Sequence, residues 1–209
     1  MSNSLWLLAF ALFGGALAVA AEAPRPDRKA VLAHLEKMRA DERGMMNIAP
    51  SEGEYLSSLV VKLKAKRVLE IGTSNGYSGI WLALGLRETG GKLITLDIDM
   101  GRQALARSNF KIAGLDDIID ARLTDALKAI PGIAGPFDVV FIDAWKPDYI
   151  RYLKLVQPKV RSGGAIAAHN VKSQASEMRE FLEAIQNDPD LRTEFITVGP
   201  SGLSVSYKK

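Results

Sequence analysis

The stretch Val68-Leu69-Glu70-Ile71-Gly72-Thr73-Ser74-Asn75-Gly76-Tyr77-Ser78 decides the fold. It reads as a buried strand that ends in a glycine turn and opens into a helix. That arrangement builds a nucleotide-type pocket at the carboxyl end of a parallel strand. The spacing of Gly72 and Gly76 is G-x-x-x-G. The dinucleotide fingerprint is G-x-G-x-x-G and seats a pyrophosphate on a helix N-terminus. Glu70 stands just before the turn, where a carboxylate would repel a diphosphate. The stretch therefore argues against a nicotinamide dinucleotide and for a ligand with a cationic centre.

One strand later, Lys92-Leu93-Ile94-Thr95-Leu96-Asp97 supplies a second acid, 25 positions after Gly72. An acid at the end of the second strand accepts hydrogen bonds from ribose hydroxyls. Taken alone, Glu70 could be a helix-capping acid and Asp97 a turn residue. The ordered pair, in its expected strand–turn–helix context, favours a cofactor site. S-adenosylmethionine fits both acids, because it carries a ribose together with an ammonium and a sulfonium.

Working outward, strands and helices alternate. Arg28 to Asp41 carries Val31, Leu35 and Met38 at helical spacing. Ser51-Glu52-Gly53-Glu54 reads as a capping box that starts a second helix. Strands are expected at 67–71, 92–97, 118–122, 137–143 and 163–168, with helices between them and a further helix over 173–187. Residues 193–198 and 203–207 form a closing hairpin across Gly199-Pro200-Ser201-Gly202. The expected fold is α/β: a doubly wound, Rossmann-like sheet of seven strands, mostly parallel with an antiparallel last strand and helices on both faces.

The chain has 209 residues and a net charge of +3, with no basic run that would mark a nucleic-acid tract. It has no cysteine, which removes disulfides, thiolate zinc sites and thiol nucleophiles. Leu5 to Ala21 is apolar and uncharged, and Ala18-Val19-Ala20 and Val19-Ala20-Ala21 are small-residue cleavage candidates. Residues 1–21 thus read as a signal peptide that exports the chain to the periplasm or beyond. The competing reading is an N-terminal membrane anchor, since Arg25, Arg28 and Lys29 lie on the downstream side. Residues 22–27 read as a proline-bearing linker and 28–209 as the folded domain.

From about Arg43 onward the chain resembles the class I S-adenosylmethionine-dependent methyltransferases, within them the catechol and caffeoyl-CoA O-methyltransferase group. Glu70-Ile71-Gly72-Thr73 and Gly76-Tyr77-Ser78 match that family's cofactor motif, and Asp97 its ribose-binding acid. Gly44-Met45-Met46-Asn47 is similar to the loop that lies over the cofactor, and Thr124-Asp125-Ala126 stands where the family contacts adenine. Asp143-Ala144-Trp145-Lys146 resembles the segment that supplies a metal ligand, a pocket wall and a catalytic lysine. The resemblance implies cofactor contacts at Met46, Asn47, Glu70, Gly72, Thr73, Gly76, Tyr77, Ser78, Asp97, Asp125, Ala126 and Asp143. It implies an acceptor site at Met45 and Trp145, a catalytic Lys146, and a divalent-metal set of Asp143, His169 and Asn170. The implied reaction is O-methylation of a small phenolic or catechol-like hydroxyl. Such folds often pair subunits through their N-terminal helices, which makes a homodimer an expectation.

His169-Asn170-Val171 departs from the family's usual Asp-Asn-Val. An imidazole is softer than a carboxylate, so the set would bind Mg²⁺ weakly or favour a softer ion. It could also work without metal, with His169 as general base, or be structural only. The alternatives to a phenolic acceptor are another acceptor class, such as an amine, or a cofactor-binding module without catalysis.

Overall fold

The computed structural model describes residues 26–41 and 45–209. The expected leader or anchor at 1–21, most of the linker, and Gly44 lie outside them. Seven strands form one sheet: β1 (Arg67–Ile71), β2 (Lys92–Asp97), β3 (Ile119–Leu123), β4 (Phe137–Ile142), β5 (Val160–His169), β6 (Leu191–Ile196) and β7 (Leu203–Lys208). Their order is β3-β2-β1-β4-β5-β7-β6. Strands β1 to β5 pair in parallel, and β7 runs antiparallel to both β5 and β6. The strand order reverses between β1 and β4, the place where open α/β sheets bind their ligands.

The helices are α1 (Arg28–Ala40), α2 (Pro50–Lys62), α3 (Tyr77–Thr89), α4 (Met100–Ile112), α5 (Ala126–Ala129), α6 (Tyr149–Val156) and α7 (Arg179–Asn187). Successive strand residues point to opposite faces, and the sequence uses both. Val139 and Phe141 of β4 join the core under α1 to α4, whereas Val140 and Ile142 join the core under α5 to α7. Helix α3 is buried from Tyr77 to Leu86 because α2 covers the side that the sheet does not. No described helix is long and apolar enough to cross a membrane.

Two expectations are corrected. The helix foreseen over 173–187 begins only at Arg179. The amides of Lys172 and Ser173 donate instead to the Ser201 carbonyl, and that of Gln174 to Asn170, so these groups are spent on turns that dock the β6–β7 loop. The N-cap of α2 is Ala49 rather than Ser51. Pro50 takes the first helical position, and Glu52 accepts the Ala49 amide at 2.8 Å. The Ser51 hydroxyl bonds the Val198 carbonyl across the chain.

Candidate active site

The turn after β1 is built by three residues with positive φ: Gly72 (101°), Ser74 (47°) and Gly76 (89°). Gly72 has no alternative, since a Cβ there would sit 2.1 Å from the Asp143 carbonyl oxygen on the neighbouring strand end. The Ser74 amide donates to Asp97 Oδ2 at 2.7 Å, and the Asp99 amide to Oδ1 at 2.8 Å. Asp97 is thereby fixed at the lip of the turn. Each carboxylate oxygen keeps a second lone pair for ribose hydroxyls. Tyr77 and Ser78 open α3 and are buried, as is Thr73, whose hydroxyl lies 2.6 Å from that of Thr95. Further along the same edge Asp125 caps α5 through the Leu127 amide, with Ala126 buried behind it.

Glu70 differs from expectation. It has no exposed surface, so it does not present its charge to a ligand. It accepts the Ser78 and Thr95 hydroxyls, each at 2.6 Å, beneath the turn. Burial pushes its carboxyl up to about 8, against the pull of those two hydrogen bonds and with help from the charges of Asp143 and Asp97. The sign of the resulting pH dependence is fixed. Below the ordinary value of 4.5 folded and unfolded chains both hold the proton. Between 4.5 and about 8 only the folded chain does, so stability falls across that window. The loss is on the order of 5 kcal/mol, at about 1.4 kcal/mol per unit. Glu70→Gln keeps a neutral, hydrogen-bonding side chain and should flatten the decline. Thermal denaturation of both proteins from pH 5 to pH 9 checks this, and parallel curves would refute it.

On the other side of the turn five side chains form a continuous chain of contacts. Glu52 Oε2 lies 3.0 Å from His169 Nε2. His169 Nδ1 lies 3.2 Å from Asp143 Oδ2, at ion-pair distance but off the line of a straight hydrogen bond. Asp143 Oδ1 accepts Lys146 Nζ at 2.9 Å, and Lys146 also donates to the Tyr149 hydroxyl at 3.0 Å. Tyr149 is buried and lies within 3.2 Å of the Ile142 carbonyl and 3.4 Å of that of His169. Burial alone would lower the His169 pKa, but Asp143 and Glu52 outweigh it and raise it to about 9. Burial likewise works to raise the two carboxyls, and the imidazole, with Lys146 beside Asp143, holds both below the usual carboxylate range. Nε2 faces Glu52 and Nδ1 faces Asp143 without a hydrogen bond, so both ring nitrogens are turned to carboxylates inside the buried cluster.

The metal reading fits these residues poorly. Both ring nitrogens of His169 face carboxylates, and both oxygens of Asp143 face cations. Asn170 adopts φ 62° and turns its amide nitrogen to the Ser173 hydroxyl. Among the described residues no group of three His, Asp or Glu side chains is arranged to hold an ion.

Of the two expected acceptor residues, Trp145 is 67 % exposed and so is not a closed pocket wall, and the expected cofactor contact Met46 is 83 % exposed. Met45 is half-buried, its sulfur 3.8 Å from the Ser74 hydroxyl, and Asn47 has a buried amide nitrogen with no partner. A hollow of about 410 Å³ opens beside Lys146, lined by Pro147, Ile150, Met178 and Phe181 among others. A larger one of about 540 Å³ lies at the opposite, amino-terminal edge of β1 to β3, remote from these groups. Sequence reasoning missed Glu52 and Tyr149. Glu52 was visible only as a helix-start acid, and nothing local signals its partner 117 positions away.

Comparison with known proteins agrees with this geometry. A family model described as O-methyltransferase matches residues 22–209. A catechol O-methyltransferase of Mycobacterium tuberculosis is 34% identical over 189 residues, 84% of this chain and 86% of that protein. A catechol O-methyltransferase of Niastella koreensis is 40% identical over 136 residues, 62% of this chain and 61% of that protein. The crystal structure of an O-methyltransferase from Bacillus cereus in complex with SAH superposes with a TM-score of 0.77. It is 29% identical, and the match covers 88% of this chain and 92% of that one.

Proposed function

The chain belongs to the O-methyltransferase family, and from that premise we propose that it methylates a small phenolic or catechol-like hydroxyl, with Lys146 as the proton acceptor. It is an S-adenosylmethionine-dependent O-methyltransferase with a small-molecule acceptor. The cofactor, when bound, supplies an electrophilic methyl group on a sulfonium.

The observation that carries the reading is the placement of Lys146. Its Nζ is held between Asp143 and Tyr149 at the carboxyl edge of the sheet, beside the hollow lined by Pro147 and Ile150. Phenols and alkylamines titrate close together, near pH 10, so a lysine in its amine form can take a phenolic proton with little energetic mismatch. With the methyl donor bound, the electron pair freed on oxygen would bond to the methyl carbon, and the pair of the broken carbon–sulfur bond would stay on sulfur. The residues of the β1 turn would hold the donor, and fixing two reactants in position is a large part of the rate gain of such a displacement. Asp97 holds the ribose, the Gly72–Gly76 turn lets the backbone approach the cofactor, and Asp125 and Ala126 border the adenine. Met45 and Trp145, on the exposed rim, contact the acceptor. The relatives named catechol O-methyltransferase support the phenolic acceptor.

Calorimetry with S-adenosylmethionine, followed by a methylation assay on catechol, tests the reading. Asp97→Ala should weaken cofactor binding by about 1.5–3 kcal/mol, the range for hydrogen bonds to a charged group. An unchanged dissociation constant in the folded variant would remove Asp97 from the site. The apolar, uncharged run Leu5 to Ala21 supports a targeting role for residues 1–21, as an export signal or an anchor. Mass spectrometry of protein from the native membrane and soluble fractions decides it: an N-terminus near Glu22 supports export, and a retained start in the membrane fraction supports the anchor. A retained start in the soluble fraction would remove both.

A further inference from the structure

We propose that the amino-terminal edge of the sheet, around Lys64, Lys92 and Lys111, is a docking face for the anionic surface of a lipid bilayer, with the active-site edge turned away from the membrane. The inference rests on the anchor reading of residues 1–21 and goes beyond the methyltransferase reading to how the domain is presented.

The chain's point of entry into the fold decides which edge faces the membrane. Pro26 lies against the end of α4, its Cβ 3.4 Å from where a Cβ on Gly114 would stand. Arg28 pairs with Glu88 at the end of α3, at 3.6 Å. Both contacts lie at the amino-terminal edge of β1 to β3, opposite the Gly72 turn. Upstream, the uncharged run Leu5 to Ala21 reaches the lower end of the length that crosses a bilayer, about 17–25 residues. From Ala21 to Pro26 the chain can stretch no more than about 18 Å. An anchor there brings this edge, and not the catalytic one, down to the headgroups. Arg25, Arg28 and Lys29 follow the run and favour a cytoplasmic domain. The cytoplasmic leaflet is anionic, and the cofactor turn stays open to the compartment where S-adenosylmethionine is made.

The edge has the charge that such a surface attracts. Three of its acids already have an arginine: Glu88 has Arg28, Asp117 has Arg87 at 2.7 Å, and Asp120 has Arg122 at 2.6 Å. Asp27 caps α1. Lys62, Lys64, Lys92 and Lys111 are exposed and make no salt bridge among the described residues, with Asp116 as the remaining acid near them. Apolar groups stand between the lysines. Ile112, next to Lys111 at the end of α4, is 64 % exposed. The hollow of about 540 Å³ between Lys66 and Lys92 opens onto the half-buried Ile94 and Ile118. Lysines around exposed apolar groups suit the headgroup boundary, where the cations meet lipid phosphates and the apolar groups leave water.

The test uses the full chain reconstituted into vesicles of phosphatidylcholine, alone or with about a third phosphatidylglycerol. The chain has no cysteine, so Ile112→Cys and Arg102→Cys each accept a single spin label, at opposite ends of α4 and about 15 Å apart. A lipid whose headgroup chelates Ni²⁺ reports which label lies at the surface. In anionic vesicles at about 0.1 M salt, the label at position 112 should meet the chelate at least about threefold more often than the label at 102. That ratio should fall by about half or more in phosphatidylcholine alone, at about 1 M salt, and in the triple variant Lys62→Glu, Lys64→Glu, Lys92→Glu. None of the three lysines touches the catalytic groups, so catechol methylation in detergent should not change. Equal contact at the two positions, or a ratio indifferent to lipid charge and to salt, would overturn the docking while leaving the anchor in place. If the triple variant does not fold, the salt and lipid arms decide. A full chain that floats with neither kind of vesicle removes the anchor, and the docking with it.

Discussion

Lys146→Ala should lower kcat for methyl transfer by about 10²-fold or more, the usual contribution of a positioned general base, and leave S-adenosylmethionine binding within about a factor of two. The separation is expected from where the lysine sits. Its nitrogen contacts Asp143 and Tyr149 on the acceptor side of β4, whereas the turn that holds the cofactor is tied to Asp97 on β2. Removing the ammonium also strips Asp143 of one of its two cations, so some stability is lost with the rate. Lys146→Arg restores the charge but presents a guanidinium, which does not give up its proton in proteins. It should therefore recover the Tm of the wild type without recovering turnover. Single-turnover kinetics on catechol, alongside calorimetry with the cofactor, gives both quantities. Turnover within about threefold of wild type in Lys146→Ala would take the lysine out of the proton transfer.

Gly72→Ala should be the most damaging single methyl group in the protein. The new Cβ would stand 2.1 Å from the Asp143 carbonyl oxygen, a backbone atom fixed at the end of β4, and the residue would have to hold φ at 101°. Neither strand can move aside. The Gly72 amide is bonded to the Leu96 carbonyl, and the Asp143 amide to that of Ile71. Overpacking costs about 1–3 kcal/mol and the forced positive φ about 1–3 more; taken together as about 3 kcal/mol, that is a fall of about 6–12 °C in Tm for a domain of this size. Because the turn and Asp143 shift together, cofactor affinity and turnover should both collapse, unlike the outcome at Lys146. A Gly72→Ala protein that melts within about 2 °C of wild type would mean that the turn is far softer than its contacts imply.

The sequence by itself determined the sheet and most of its contents. Strands β1 and β2 fall where the apolar runs begin and end, because a strand covered on both faces needs an unbroken run such as Val139 to Ile142, and few other structures use one. The glycine turn was legible for the same local reason, since positive φ at positions 72 and 76 demands residues without a Cβ. Asp97 could be picked out because it ends β2, and Lys146 because it follows the end of β4 by a short distance. Tertiary structure decided the state of the charged groups. Glu70 looked like an acid aimed at a ligand, but its own strand and α3 seal it from solvent, and burial leaves it neutral. Ser51 looked like a helix cap, but the cap is Ala49, and Glu52 turns inward. His169 offered three readings on paper, because an imidazole is defined by what faces its two nitrogens. One of those partners arrives from the start of α2, 117 residues earlier, and the other from the end of β4. A local sequence pattern records backbone conformation and the alternation of burial; it does not record which distant charge will be packed against which.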